Sequence, residues 1–364
     1  MGLPEKIKAI EEEMKRTQVH KHTEHHIGLL KAKLSKLKAE LEQGQRSKSS
    51  GSLGFDVKKG GDCTIVLIGL PSVGKSTLLN QLTNAKSKVG AYAFTTLTVV
   101  PGLLEYKGAK MQILDLPGII AGAANGTGRG RRVLSVARNA DLILLILDVF
   151  QPDQICTLRK ELYEMGIRLN ARPPNVTIEL SSGGGLGITA TCPLTKLDEA
   201  TIRGILNVYK IHHANVIIRE DITDDQLIDI VAGNRTYAAA VTVLNKVDLV
   251  APKYVEEVKR RIREDFIPIS ADQNLNIDTL KNAIYDRLSF IRIYLKPRNG
   301  EPDFDEPLIL TAGSTVTDVC QKIHRKFAGD AKWALVSGNS VRFNPQRVGM
   351  NHVLQDGDVV TIIK

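Results

Sequence analysis

Gly69-Leu70-Pro71-Ser72-Val73-Gly74-Lys75-Ser76 follows directly on Cys63-Thr64-Ile65-Val66-Leu67-Ile68. The six residues before it are a short β-branched and apolar run, the pattern of a buried strand. The eight that follow fit G-x-x-x-x-G-K-[ST], a phosphate-binding loop between a strand and a helix. Gly69 and Gly74 let the backbone come close to phosphate, so that its N–H groups turn inward. The helix starting near Lys75 points its positive end at the same anion. Lys75 is expected to reach the β- and γ-oxygens, and Ser76 to ligate Mg²⁺. The expected nucleotide contacts run over Gly69, Pro71, Ser72, Val73, Gly74, Lys75, Ser76 and Thr77. Strand, loop and helix in this order predict an α/β fold whose sheet carries helices on both faces.

Two further segments narrow the nucleotide. Ala239-Ala240-Val241-Thr242-Val243-Leu244 predicts another buried strand, and Asn245-Lys246-Val247-Asp248 stands at its carboxyl end, where ligands bind in open α/β sheets. The Asp248 carboxylate can accept from both the ring N–H and the exocyclic amine of guanine, and adenine offers no such pair. A base that leaves these polar groups unpaired is rejected on the order of 10⁴-fold, which favours GTP and GDP over ATP. Asn245 and Lys246 belong to the same loop. A further base contact is expected from Ser270-Ala271, after the strand-like Phe266-Ile267-Pro268-Ile269, through a backbone N–H to guanine O6.

Met111-Gln112-Ile113-Leu114 predicts a strand that ends on Asp115-Leu116-Pro117-Gly118. Asp115 is placed to hold Mg²⁺ through water, and Gly118 to offer its N–H to the γ-phosphate. Upstream, Ala93-Phe94-Thr95-Thr96 supplies the second Mg²⁺ hydroxyl, from Thr96 with Thr95 as the substitute. The metal set is therefore Ser76, Thr96 and Asp115, and the residues expected to act in catalysis are Lys75, Thr96 and Gly118. Ile119 stands where a Ras-type hydrolase carries a glutamine to orient the attacking water. Hydrolysis is therefore expected to be slow, with the missing function coming from a bound cation, a water held by backbone, or a partner. Arg129, Arg131 and Arg132 offer candidate charge stabilisers; solvated or RNA-facing arginines are the stronger reading of that stretch.

These motifs carry a resemblance. The P-loop, Phe94-Thr95-Thr96, Asp115-Leu116-Pro117-Gly118-Ile119-Ile120 and Gly128-Arg129-Gly130-Arg131-Arg132 resemble the Obg-related GTPases, and specifically the developmentally regulated GTP-binding protein (DRG) family. The resemblance runs over nearly the whole chain, through residues 25–34, Gly54-Phe55-Asp56-Val57, residues 106–110, Gly166-Ile167-Arg168-Leu169-Asn170 and Asn344-Pro345-Gln346-Arg347-Val348-Gly349. Many Obg-related proteins carry asparagine at the position of Ser72, where it helps to hold an activating K⁺; serine leaves potassium dependence open. Relatives also commonly have glutamate where this chain has Ala121.

Composition bounds the rest. With 364 residues and 43% apolar content the chain is long enough for several domains. Its longest apolar run, Leu142 to Leu147 with flanks, is strand-sized, so membrane insertion is not expected. No myristoylation or secretory signal is visible. Cys63, Cys156, Cys192 and Cys320 lack metal spacing and suit a reducing cytoplasm.

Ile7, Ile10 and Met14, a break near His20, then Ile27, Leu30, Leu34, Leu37 and Leu41 predict an antiparallel helical hairpin over residues 1–45. Residues 1–60 hold 13 Lys/Arg against 8 Asp/Glu, a net +5 of the chain's +9. A solvated helix face and binding to RNA explain this excess equally well. The cluster of His20, His22, His25 and His26 lacks the cysteine or carboxylate frame of a metal site. Residues 46–60 form a Ser/Gly-rich linker.

The GTPase domain is expected in two parts, 61–167 and 239–289. Between Gly118 and Asn245 lie 126 residues, more than a minimal switch domain needs. An insert over 168–238 is expected, with strands at Val176–Leu180 and Ile188–Thr191, a turn at Gly183-Gly184-Gly185 and a helix from Asp198 to Tyr209. The resemblance implies an α/β insert like domain 2 of ribosomal protein S5. It also implies a C-terminal β-grasp TGS domain over 290–364, a kind of domain that touches RNA or the ribosome in relatives. Residues 289–364 carry only +2, and Trp333, the single tryptophan, fits a core position. Contact through phosphate and RNA shape is expected rather than base stacking.

The function expected is a Mg²⁺-dependent GTPase switch that cycles between GTP and GDP and engages the ribosome or ribosomal RNA. The resemblance adds a dedicated regulatory protein. The alternative is a nucleotide-gated RNA-binding scaffold in which hydrolysis is incidental.

Overall fold

The structure is a computed structural model and describes residues 2–18, 20, 23–48, 60–83, 100–116, 136–262, 264–323 and 331–363. The chain divides into two compact units, Met1–Gly54 with Gly166–Tyr237, and Phe55–Met165 with Ala238–Lys364. Among the described residues no helix is long and apolar enough to cross a membrane.

The first unit opens with α1 (Leu3–Arg16) and α2 (Glu24–Lys48). The break near His20 is a hydrogen-bonded turn in which the N–H groups of Thr23 and Glu24 both donate to the His20 carbonyl. The second helix continues to Lys48, into the segment expected to be linker. Gln45, Arg46 and Lys48 have good helix propensity, and neither a proline nor another glycine follows Gly44 before the helix ends at Lys48. The two helices pack on each other, with an ion pair from Lys38 to Glu11 and a hydrogen bond between His26 Nε2 and Glu13, each at 3.0 Å.

After β5 (Ile167–Leu169), a three-stranded sheet forms from β6 (Val176–Leu180), β7 (Leu186–Ala190) and β8 (Ala214–Ile218), in the order β6-β8-β7. Gly184 and Gly185 lie in the connection of β6 to β7 with φ of 91° and 76°, a backbone that only glycine adopts without strain. Two helices cover the sheet, α5 (Glu199–Val208) and α6 (Asp224–Ala232); α4 is Gln154–Glu164 of the other unit. Ile202, Ile205 and Leu206 meet Val216, Ile218 and Leu227 in one core, and Ala32 of α2 is part of it. The hairpin is thus built into the insert. Lys31 bridges Asp224 and Asp225 at 3.0 and 2.9 Å, and Lys36 donates to the Val208 carbonyl at 2.7 Å.

The second unit holds β1 (Cys63–Ile68), α3 (Lys75–Leu82), β2 (Val100–Tyr106), β3 (Ala109–Asp115), β4 (Leu142–Asp148), β9 (Thr236–Asn245, whose first two residues belong to the first unit), α7 (Pro252–Ile262), β10 (Ile267–Pro268) and α8 (Ile277–Arg287). Six strands run in the order β10-β9-β4-β1-β3-β2. All pairings are parallel except that of β2 with β3. Every residue of β1 is buried, as are the first six of β4, so the continuous apolar runs are strands covered on both faces. Each such aliphatic side chain contributes about 1.5–3 kcal/mol. Because the strands are parallel, β1, β3, β4, β9 and β10 deliver their carboxyl ends to one edge.

The C-terminal part is a β-grasp: β11 (Phe290–Leu295), β12 (Leu308–Thr311), α9 (Val316–Ile323), β13 (Trp333–Ser337), β14 (Gln346–Val348) and β15 (Val359–Ile363), with sheet order β12-β11-β15-β13-β14. Val316, Val319 and Cys320 of α9 pack on Ile293, Ala334, Val336 and Val360. Trp333, expected in the core, is not there. Ala334 and Val336 take the inward positions of β13, so strand alternation turns Trp333 to the opposite face, where the Arg347 guanidinium lies 4.4 Å from its ring centroid.

Candidate functional site

The loop after β1 has the backbone that its sequence demands. A Cβ on Gly69 would stand 2.5 Å from the Ile146 carbonyl oxygen, and one on Gly74 would stand 2.3 Å from Asn245 Nδ2. Gly74 has φ of 92° and caps α3, while Ser72 also holds a positive φ, of 64°. Val73 is buried beneath the loop; Pro71, Ser72, Ser76 and Thr77 are exposed. Lys75 is buried, and its Nζ donates to the carbonyls of Gly69 and Leu70 at 3.0 and 2.8 Å. Burial pulls its pKa below the ordinary lysine value, and the charge of Asp115 opposes that shift.

Asp115 ends β3, in register with Leu67 of β1, and the Ser76 hydroxyl donates to its Oδ2 at 2.8 Å. Its Oδ1 is buried and finds no hydrogen-bond partner among the described residues. A serine hydroxyl touching a carboxylate with one unsatisfied buried oxygen is an all-oxygen donor set. That fits a small hard cation such as Mg²⁺.

On the other side of β1, Asn245 closes β9 and is 2% exposed. Its Nδ2 donates to the Val73 carbonyl at 2.9 Å, and its Oδ1 accepts the Ala271 N–H at 3.0 Å. Lys246 has φ of 67° and donates to the Ser72 carbonyl and to Asp148, while the Val247 N–H donates to the Ile269 carbonyl. The base loop is thus tied to the phosphate loop and to the loop after β10. Asp248 lies in the exposed turn Val247–Leu249 and has no ion pair or hydrogen bond among the described residues, so both carboxylate oxygens are available.

Ser270 and Ala271 are fully or almost fully buried beside these loops. The expectation that one of their amides reaches guanine O6 meets a competing bond in each case. The Ser270 N–H donates to the Leu275 carbonyl and the Ala271 N–H to Asn245. Ala271 thus holds the Asn245 side chain, and Ser270 closes its own loop onto Leu275 and Gln273.

The structure therefore brings together Gly69, Pro71, Ser72, Val73, Gly74, Lys75, Ser76, Thr77, Asp115, Asn245, Lys246, Asp248, Ser270 and Ala271 along one sheet edge. Thr95, Thr96, Gly118, Ile119 and Arg129, Arg131 and Arg132 lie outside the described residues. The histidines near residue 20 point to separate partners: His20 to Gln18, His25 to Thr201 and His26 to Glu13; His22 lies outside the described residues. Sequence reasoning missed Asp148, the acceptor for Lys246. Its signal was an aspartate closing the apolar run Leu142–Leu147, as Asp115 closes Met111–Leu114.

Comparison with known proteins extends the same pattern. Residues 64–179 match a family described as a 50S ribosome-binding GTPase, residues 183–290 the C-terminal region of the MMR_HSR1 domain, and residues 291–364 a TGS domain. The chain is 54% identical to an uncharacterized GTP-binding protein of Methanocaldococcus jannaschii, an alignment that covers 100% of this chain and 93% of that protein. It is 47% identical to developmentally-regulated GTP-binding protein 2 of Homo sapiens, with 100% of both chains covered. The figure is also 47% for developmentally-regulated GTP-binding protein 1 of Xenopus laevis, over 100% of this chain and 99% of that one. Equal identity to the two numbered members speaks for the family they share rather than for either member.

Proposed function

Because the chain belongs to the family of developmentally regulated GTP-binding proteins, we propose that it is a Mg²⁺-dependent GTPase switch whose two nucleotide states change its engagement with the ribosome. The observation that carries this reading is the convergence on one sheet edge of a buried lysine in a glycine-shaped loop, a Ser76–Asp115 oxygen pair and the uncommitted carboxylate of Asp248. The three meet the three parts of a guanine nucleotide: phosphates, their counter-ion and the base.

Asp248 accepts the two guanine N–H groups. Loop amides from Gly69 to Ser76 and the Lys75 ammonium take the phosphates, so Lys75 exchanges its loop carbonyls for phosphate oxygens. Ser76 and Asp115 would hold Mg²⁺, Asp115 through water, with Thr96 as the further ligand, and the ion would supply positive charge against the charge that develops on the phosphate. Water attacks the γ-phosphorus, the bond to the bridging oxygen breaks, and GDP and phosphate leave. Lys75 and the loop amides stabilise the developing charge. With isoleucine at 119, no side chain at that position orients the water, so turnover is slow until a K⁺ ion or a partner completes the site. The description of the family matched at residues 64–179 as ribosome-binding, the TGS domain and the basic N-terminal segment support a ribosomal partner in the cytoplasm. A dedicated regulatory protein is a second candidate activator.

The test is single-turnover GTP hydrolysis in potassium and in sodium buffer, with and without ribosomes, with ATP as competitor. A ribosome-dependent rise in rate and no competition from ATP are expected. Hydrolysis indifferent to ribosomes and cation would favour the RNA-binding scaffold, and equal competition by ATP would overturn the base assignment.

A further inference from the structure

Lys246 is held from two directions. Its Nζ donates to the Ser72 carbonyl at 2.8 Å and to Asp148 Oδ2 at 2.7 Å. Asp148 closes β4 in direct register with Asn245 of β9, which sets its carboxylate beside the next residue, Lys246. Its other oxygen accepts the Phe150 N–H at 2.9 Å, so both oxygens are engaged and the carboxylate is fixed in orientation. The Asp148 side chain is 16% exposed and that of Lys246 32%, so the pair is partly shielded from water.

An ammonium held by a single neutral carbonyl keeps two protons free and swings readily; a charge-assisted bond on a second side restricts it. What Lys246 restricts is the spacing between the phosphate loop, at Ser72, and the base loop, two residues before Asp248. A nucleotide must satisfy both loops at once.

We propose that Asp148 is a positioning residue for guanine-nucleotide binding, which acts by fixing Lys246 across Ser72 and so holds the base loop and the phosphate loop at the separation the nucleotide requires. The inference rests on the reading of this edge as a guanine-nucleotide site. Asp148 touches no part of the nucleotide. Its removal therefore weakens binding without changing the chemistry of the bound state.

The experiment compares Asp148→Asn with the parent full-length chain, using GDP and GTP carrying a fluorescent ribose label. Asparagine keeps an acceptor for the Phe150 N–H and removes the charge that holds Lys246. Both dissociation constants are expected to rise about tenfold, mainly through faster dissociation. Single-turnover hydrolysis at saturating GTP stays within about twofold. In a Lys246→Ala background, Asp148→Asn adds less than about twofold, because the contact it perturbs is already gone. Asp148→Ser, which also keeps an acceptor, gives the same readings should the asparagine variant be insoluble. Unchanged affinity, an undiminished tenfold loss without Lys246, or a loss confined to the hydrolytic rate would each overturn the inference. A parent chain that binds ADP as well as GDP overturns the guanine reading instead, an outcome visible before any variant is made.

Discussion

At the scale of single residues, the base side of the site turns on the Asp248 carboxylate, which is exposed and uncommitted. In the proposed site guanine presents two donors to it. Xanthine replaces the exocyclic amine by a carbonyl, so the amide of Asp248→Asn matches xanthine with one donor and one acceptor and leaves guanine mismatched. The substitution is expected to lower GDP affinity by about 100-fold or more and to raise affinity for xanthosine diphosphate, read by competition against labelled nucleotide. Retained GDP preference would place guanine recognition elsewhere. Lys75, Ser76, Asp115 and Asp248 were legible in the sequence because each is defined by a short string and a preceding apolar run. What Asp148 and Asn245 hold was not. Their partners lie 98 and 172 residues away, and only the parallel register of β4 with β9 and the fold of the loop over β1 bring them together.

Secondary-structure elements show the same division between local and distant causes. The Asp198 side chain caps α5 by accepting the Thr201 N–H at 2.7 Å, and bonds from the Thr201 side chain and backbone hold its carboxyl below the usual carboxylate range. Its folded pKa is thus depressed relative to the unfolded chain. The stabilisation is fully present above the ordinary value of 3.8 and is lost as pH falls through the lower folded value. Asp198→Ala is expected to cost about 1 kcal/mol at neutral pH and to flatten the acid limb of the stability curve, measured by urea unfolding at a series of pH values. An unchanged acid limb would deny Asp198 that role. The helix itself was expected from the sequence over Asp198 to Tyr209, and it forms over Glu199–Val208. What covers it was not. A Cβ on Gly204 would stand 2.7 Å from Leu29 Cδ2, and one on Gly28 would stand 3.1 Å from Thr201 Cγ2. The close approach of α2 and α5 thus depends on two glycines 176 residues apart, neither of which signals a helix contact alone.

For the whole molecule, the basic balance of the chain has to be divided between charge that holds the fold and charge left for a partner. The net +9 includes +5 from residues 1–60, which the sequence could assign equally to solvent or to RNA. Lys31, Lys36 and Lys38 are committed, to Asp224 and Asp225, to the Val208 carbonyl and to Glu11. Burial pulls the Lys31 pKa down, but the hydrogen bonds and charges of Asp225 and Asp224 outweigh it and hold the group above the ordinary lysine value. Lys6, Lys8 and Lys15 on α1 are exposed and have no ion pair among the described residues. Among the described residues of this segment the lysines left for phosphate are thus Lys6, Lys8 and Lys15 on α1 and Lys33 on α2, while Lys31, Lys36 and Lys38 are committed. Replacing Lys6, Lys8 and Lys15 together by glutamate is expected to weaken ribosome binding and to reduce the slope of log affinity against log salt by roughly one unit for each phosphate no longer neutralised, with the unfolding midpoint nearly unchanged. Lys31→Ala is expected to do the reverse, costing about 1 kcal/mol of stability in the hairpin–insert unit while leaving the salt slope alone. Co-sedimentation with ribosomes across a salt series, beside thermal unfolding of the same variants, separates the two. A salt slope that follows Lys31 and ignores the α1 lysines would move the nucleic-acid contact to another face of the protein.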